Sequence, residues 1–164
     1  MDICEVCHKM HSLGWVAGAD GNVSVKTADG GVVITPSGFS KADITPEMLV
    51  ECDALGVPTG RGTPSSELHT HLRIYSDFPD VKAVIHAHPP CATAFALSKS
   101  ATRALKARLR QFQPESLELN RDFVILPNHG VVTFGGDLQT AFYRMETLEL
   151  RAKIILNAQI LEIY

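Results

Sequence analysis

Apolar residues Ile3, Val6, Cys7, Met10 and Leu13 recur at three-and-four spacing, which predicts an amphipathic first helix docking one face on a core. The stretch 14–21 is turn-rich. Val23-Ser24-Val25-Lys26 then alternates and Val32-Val33-Ile34 runs apolar, so the two flank Asp29-Gly30-Gly31 as a β-hairpin. Thr45-Pro46-Glu47 has the cap-then-proline order of a helix start, and Leu49-Val50-Glu51-Cys52 predicts a further strand. A helix is expected over 65–75, opened by Ser65-Ser66-Glu67 and carrying Leu68, Leu72 and Tyr75 on one face. A strand over 81–88 follows, then helices over about 91–97 and 101–109. Strands over 123–126 and 131–134 flank Pro127-Asn128-His129-Gly130. The last helix starts with Asp137 as N-cap and extends near Tyr164, with Leu138, Phe142, Met145, Leu148, Ala152 and Ile155 as its apolar stripe.

Helical and strand patterns that interleave without a repeat point to a mixed α/β layer fold with short connections. With 164 residues, 45% hydrophobic and 20% charged, the chain fits one domain, 1–164, able to bury a sizeable core. A net charge of -3 with interspersed signs offers no basic stripe for nucleic acid, and no apolar run is long enough to span a membrane. The start Met1-Asp2-Ile3-Cys4-Glu5 lacks the basic-then-apolar build of a signal peptide. A cytoplasmic protein with reduced cysteines is therefore expected. Cys4, Cys7, His8 and His11 lie at helical spacing and can be read as a zinc site, but buried cysteine on an amphipathic helix is the simpler reading.

Chemistry concentrates at Val84-Ile85-His86-Ala87-His88-Pro89-Pro90. Strand residues two apart share a face about 7 Å from one another, so His86 and His88 can converge on one cation where the prolines stop the strand. His129, at a tight turn between apolar strands, is the third candidate; three neutral nitrogens would leave a catalytic zinc an open position. His69 and His71 are weaker candidates, because two-residue spacing on a helix turns them about 200° apart.

Glu67 stands at an exposed helix start beside Ser65 and Ser66, whose hydroxyls and neighbouring free amides suit an anion. A first-turn glutamate that only answers the helix dipole is the competing reading. Gly21-Asn22-Val23-Ser24 and Thr35-Pro36-Ser37-Gly38 also combine glycine with amide or hydroxyl donors, and either could face a phosphate or be an ordinary turn.

Taken in order, Gly21-Asn22-Val23-Ser24, Ile34-Thr35-Pro36-Ser37-Gly38, Pro64-Ser65-Ser66-Glu67, His86-Ala87-His88-Pro89 and Asn128-His129-Gly130 resemble the class II aldolase/adducin family over nearly the whole chain. The resemblance implies a three-layer αβα domain around a mostly antiparallel or mixed sheet. It implies Zn2+, or another divalent metal such as Mn2+ or Co2+, on His86, His88 and His129, with Glu67 as fourth ligand and catalytic base. It implies that Gly21, Asn22, Ser37, Gly38, Ser65 and Ser66 bind a substrate phosphate. The expected activity is that of an aldehyde-lyase cleaving a ketose phosphate to dihydroxyacetone phosphate and an aldehyde through a metal-stabilised enediolate. The expected partner is thus a small sugar phosphate, in a homotetramer with sites at subunit interfaces.

The same resemblance admits a ribulose-phosphate 4-epimerase, a dehydratase or a decarboxylase. It also admits a non-catalytic interaction module like the adducin head, although such a module has no physical need of the intact His86, His88, His129 and Glu67 set. Between His88 and His129 the chain is shorter than is usual and lacks tyrosine, so the tyrosine that some family aldolases draw from a neighbouring subunit as proton donor has no match. An omitted internal loop, in the charged joint 99–110, and an omitted tail are expected in preference to a compact member.

Overall fold

A computed structural model describes residues 1–112 and 121–161. The chain runs α1 (Ile3–Ser12), β1 (Asn22–Lys26), β2 (Val32–Ile34), a 3-10 turn (Pro46–Met48), β3 (Val50–Cys52), α2 (Leu68–Asp77) and β4 (Ala83–Ala87). It continues through α3 (Pro90–Ala96), α4 (Lys99–Phe112), β5 (Phe123–Leu126), β6 (Gly130–Gly135) and α5 (Leu138–Leu161). The strands form one six-stranded sheet in the order β3-β2-β1-β4-β6-β5, antiparallel at every ladder. The predicted hairpin is the β1–β2 pair, with Val25 opposite Val33.

Alternation along the strands separates two cores. On one face Val23, Ile85, Ala87, Phe123 and Val131 meet Ile3, Val6 and Met10 of α1, Phe95 of α3, Leu105 of α4, and Phe142, Met145 and Leu148 of α5. On the other face Val32, Ile34, Val50, Val84, Val132 and Phe134 meet Leu68, Ile74 and Tyr75 of α2. The result is the expected three-layer αβα arrangement. Since β4 and β6 are covered on both faces, their residues are buried throughout, which is why their sequences run apolar instead of alternating. Among the described residues no helix is long and apolar enough to cross a membrane.

Two boundaries differ from expectation in ways that matter for chemistry. Strand β4 stops at Ala87, one residue short of His88, whose N–H donates to the Trp15 carbonyl at 2.9 Å. A residue preceding proline is also restricted, and Pro89 has no N–H to extend a ladder. Helix α2 begins at Leu68, with Glu67 at its N-cap and no side-chain cap; Ser65 and Ser66 lie in the turn before it. There the Leu68 N–H donates to the Ser65 carbonyl at 3.0 Å.

Helix α5 buries the predicted stripe, and the Asp137 carboxylate accepts the Thr140 N–H at 2.7 Å. Residues 162–164, where the expected helix end falls, lie outside the described residues. From mid-helix the Glu149 carboxylate accepts the N–H groups of Cys91 and Ala92 at 2.9 and 2.8 Å. Those are orphan donors of the first turn of α3, so this contact fixes the segment immediately after His88. Replacing Asp137 with alanine is expected to lower unfolding free energy by about 1 kcal/mol while leaving the sheet intact. Chemical denaturation checks this; no loss of stability would show that the cap contributes nothing.

Candidate metal centre and adjoining polar cleft

His86 lies on β4 opposite Asn22 and Val132, on the sheet face that α2 covers, and only 1% of it is exposed. Its Nδ1 is 3.0 Å from the Val131 carbonyl, which can only accept. The hydrogen of the neutral ring is thereby placed on Nδ1, and Nε2 is left bare. Burial, with repulsion from His88 and His129 and against the attraction of Glu67, pushes His86 down from 6.5 to about 4, so the ring is neutral near pH 7.

His88 is positioned by its bond to Trp15, and its Nδ1 stands 3.7 Å from the Asp20 carboxylate. His129 sits in the β5–β6 turn. There Asn128 adopts φ 57°, its N–H reaches the Ala96 carbonyl of α3 at 3.0 Å, and the His129 N–H reaches Leu126 at 3.1 Å. Gly130 has to be glycine for a local reason: a Cβ there would overlap the His88 ring and come within 2.7 Å of the Ala87 carbonyl. Ring centroids of His86, His88 and His129 are 4.9, 4.7 and 5.1 Å apart pairwise. One nitrogen from each falls within 4.8 Å of the others, the only such cluster of histidine, cysteine and acidic groups among the described residues.

Glu67 closes the group, with its carboxylate oxygens 3.7 Å from His86 Nε2 and 3.6 Å from His129 Nε2. Those gaps are too long for direct hydrogen bonds, yet are close to the donor–donor spacing of about 3.3 Å around a tetrahedral zinc. His86 Nε2 and His88 Nε2 are buried without a hydrogen-bond partner. An unsatisfied buried group costs about 1–3 kcal/mol, and an apolar side chain would fill the same space without that cost. Packing therefore does not account for these rings. Neutral nitrogens beside a carboxylate are the donor set of a divalent cation, and the four side chains can hold one.

A cleft of about 160 Å³ adjoins the cluster. It is lined by Gly21, Asn22, Ser37, Gly38, Ser65, Ser66, Glu67, His86, His88 and His129, the set that the family resemblance implied for metal and phosphate. Pro36, from the Thr35-Pro36-Ser37-Gly38 motif, lines it as well, as do Ala19 and Asp20, which had given no signal. A larger groove of about 680 Å³ between Leu13, Trp15, Pro90 and Leu150 holds no such cluster, so chemistry and not size selects the smaller cleft.

The three polar loops are tied together by backbone. Thr35 exchanges bonds with Val23, its N–H donating to the Val23 carbonyl at 3.0 Å and its hydroxyl accepting the Val23 N–H at 3.2 Å. Ser37 N–H donates to Thr63 at 2.9 Å and Ser65 N–H to Thr35 at 3.0 Å. Gly21, at φ 72°, lies where a Cβ would strike Val16 and come within 2.9 Å of the His86 carbonyl. Lys41, 1% exposed, donates to the carbonyls of Ala19 at 3.1 Å and Phe39 at 2.8 Å and so straps the first loop to the second. Nothing in the spacing of Lys41 had marked it, since one partner is a backbone carbonyl 22 residues away in another loop and the other is an ordinary local carbonyl.

The remaining candidates fall elsewhere. His69 is exposed and bonds the Ser66 carbonyl, whereas His71 is fully buried between Asn22 and Ser24. Burial, with smaller contributions from His86 and His69, pushes His71 down to about 3. His8 bonds the Ile44 carbonyl, Cys7 is buried with its thiol pushed up to about 12 by desolvation, and no metal cluster forms on α1.

Comparison with known proteins identifies relatives in sequence and in fold. The sequence model of the Class II Aldolase and Adducin N-terminal domain family matches residues 1–116 and 100–156. An L-fuculose phosphate aldolase of Methanococcus vannielii is 33% identical over 177 aligned positions, covering 93% of both chains. A methylthioribulose-1-phosphate dehydratase of Gluconacetobacter diazotrophicus is 28% identical, covering 90% of this chain and 87% of its own. Among solved structures, an L-fuculose 1-phosphate aldolase superposes with a TM-score of 0.79 at 27% identity, over 97% of this chain and 85% of that one.

Two outcomes are expected from this geometry. Gly130→Ala should push the His88 ring aside and weaken binding of a divalent metal at least about tenfold, measured by metal titration; wild-type affinity would show that the ring is not confined. His71 is neutral when folded and titrates near 6.5 when unfolded, so the unfolded chain binds the extra proton and stability falls as pH drops from about 6.5 toward 3. His71→Gln lacks this component, so the stability gap between wild type and variant should narrow by about 2 kcal/mol from pH 7 to pH 5. Denaturant titration at both pH values reads it, and a constant gap would contradict the assignment.

Proposed function

This chain belongs to the class II aldolase and adducin family, and on that footing we propose that it is a zinc-dependent lyase cleaving a ketose phosphate to dihydroxyacetone phosphate and an aldehyde. The observation that carries this reading is the pair of orphaned nitrogens, His86 Nε2 and His88 Nε2, held beside His129 and opposite Glu67. His86, His88 and His129 hold the ion and Glu67 completes its resting coordination. When bound, the cation supplies Lewis acidity, offsetting the negative charge that develops on substrate oxygens as the carbon–carbon bond breaks.

The protein's own groups do the rest. Glu67 takes the proton of the alcohol whose carbon leaves as aldehyde and returns it to the carbon left behind, so one carboxylate balances the cleavage. Gly21, Asn22, Ser37, Gly38, Ser65 and Ser66 hold the phosphate through neutral amide and hydroxyl donors, a set that favours an oxyanion without trapping a cation. The side chains of His129 and Glu67 are 44% and 25% exposed, and this open side is the one a neighbouring protomer closes in the proposed tetramer.

A dehydratase reading draws on the same cation and base and is supported by the Gluconacetobacter relative. Products separate the readings. Incubation with zinc and a panel of ketose 1-phosphates should release dihydroxyacetone phosphate and an aldehyde; loss of water without cleavage would assign the dehydratase, and isomerisation alone the epimerase. Elemental analysis should find about one divalent ion per chain, and His86→Ala or His88→Ala should abolish it. Retention of metal by both variants would remove the site. Glu67→Gln should keep the fold and lower turnover at least about 100-fold, read in the same assay; wild-type turnover would end its role as base.

A further inference from the structure

Beneath the cleft a buried chain of side chains runs from α2 to the cleft lining. Tyr75 OH is 2.7 Å from Ser24 Oγ, Ser24 Oγ is 2.6 Å from His71 Nδ1, and His71 Nε2 is 2.6 Å from Asn22 Oδ1. All four residues are buried, His71 and Ser24 completely. None of the groups bonded along this chain is without a partner.

The direction of this chain can be worked out. Among the described residues Ser24 is the one hydrogen-bond partner of the Tyr75 hydroxyl, so the Tyr75 hydrogen goes to Ser24. The Ser24 hydroxyl then donates to His71 Nδ1, and a neutral imidazole with a bare Nδ1 carries its hydrogen on Nε2. The Nε2–H can meet only the oxygen of the Asn22 amide. In the reverse order Tyr75 would accept from Ser24 and its own hydrogen would have no described acceptor, which is costly for a buried hydroxyl. The forward order wins.

We propose that His71 is a positioning residue which, by holding the Asn22 side-chain oxygen, commits the Asn22 NH2 to the cleft as a donor for an anionic substrate group. An asparagine left free to flip would offer either its NH2 or its carbonyl oxygen, and the oxygen repels an anion. The chain removes that choice, with Tyr75 setting the sense from within the core beneath α2. This rests on the proposed phosphate end of the cleft, where Asn22 lies beside Ser37 and Ser66.

The test uses inorganic phosphate as probe, titrated calorimetrically into the metal-loaded protein, together with the NMR tautomer of His71. Wild type should bind phosphate and show His71 protonated on Nε2. His71→Phe should weaken phosphate binding and raise KM at least about tenfold with a smaller change in kcat, and His71→Gln, which keeps an N–H donor, should restore most of the loss. Ser24→Ala, in which both His71 and Asn22 remain, should also weaken phosphate binding, and it covers the case that His71→Phe fails to fold. Unchanged phosphate affinity in the folded variants, equal defects in His71→Phe and His71→Gln, or a wild-type hydrogen on Nδ1 would each overturn the proposal. Wild-type protein that binds no phosphate while His71 holds its hydrogen on Nε2 would instead overturn the anionic substrate and, with it, the phosphate reading.

Discussion

Burial of the His86 imidazole on the α2-covered face of β4 is the constraint on which the rest of the site depends. A ring 1% exposed in a sheet covered on both faces cannot turn to find new partners, and its Nδ1 is committed to the Val131 carbonyl. Nε2 is consequently fixed in direction and left bare at the end of the sheet, where His88, His129 and Glu67 meet it. A polar nitrogen in that position is costly in the folded protein until something binds it. The site is preorganised at the expense of stability, as expected where rigid elements support a functional group.

The other ligand candidates are held by different devices. His88 has left the ladder and relies on the Trp15 carbonyl, while His129 relies on a turn in which Asn128 takes a left-handed conformation and bonds to the end of α3. Glu149 pins the start of α3 and Lys41 straps the loops across the cleft. These contacts couple both cores to one end of the sheet. Disturbing α5 or the loop after β2 therefore reaches the site through backbone bonds, without touching a candidate ligand.

Much of this was legible in local patterns. The α1 stripe, the β1–β2 hairpin, the Asp137 cap and the buried face of α5 follow from periodicity and turn chemistry, which act over a few residues. The residues that the family resemblance implied for the site do line one cleft, whereas their types alone left the polar loops readable as ordinary turns. His71 was the residue hardest to place. Helical geometry correctly set it apart from His69, but nothing nearby in sequence could show that it sits between Asn22 and Ser24.

What the sequence by itself determined is the set of elements, the identity of the donor groups and the family to which their order belongs. Tertiary structure decided which nitrogen of His86 is free, how His88 reaches the cluster after its strand has ended, and why Lys41, His71 and Gly130 are what they are. The bonds responsible join residues 45, 47, 49 and 22 positions apart. A side chain's type announces what it can donate or accept, but its partner is set by which backbone the fold brings within about 3 Å of it.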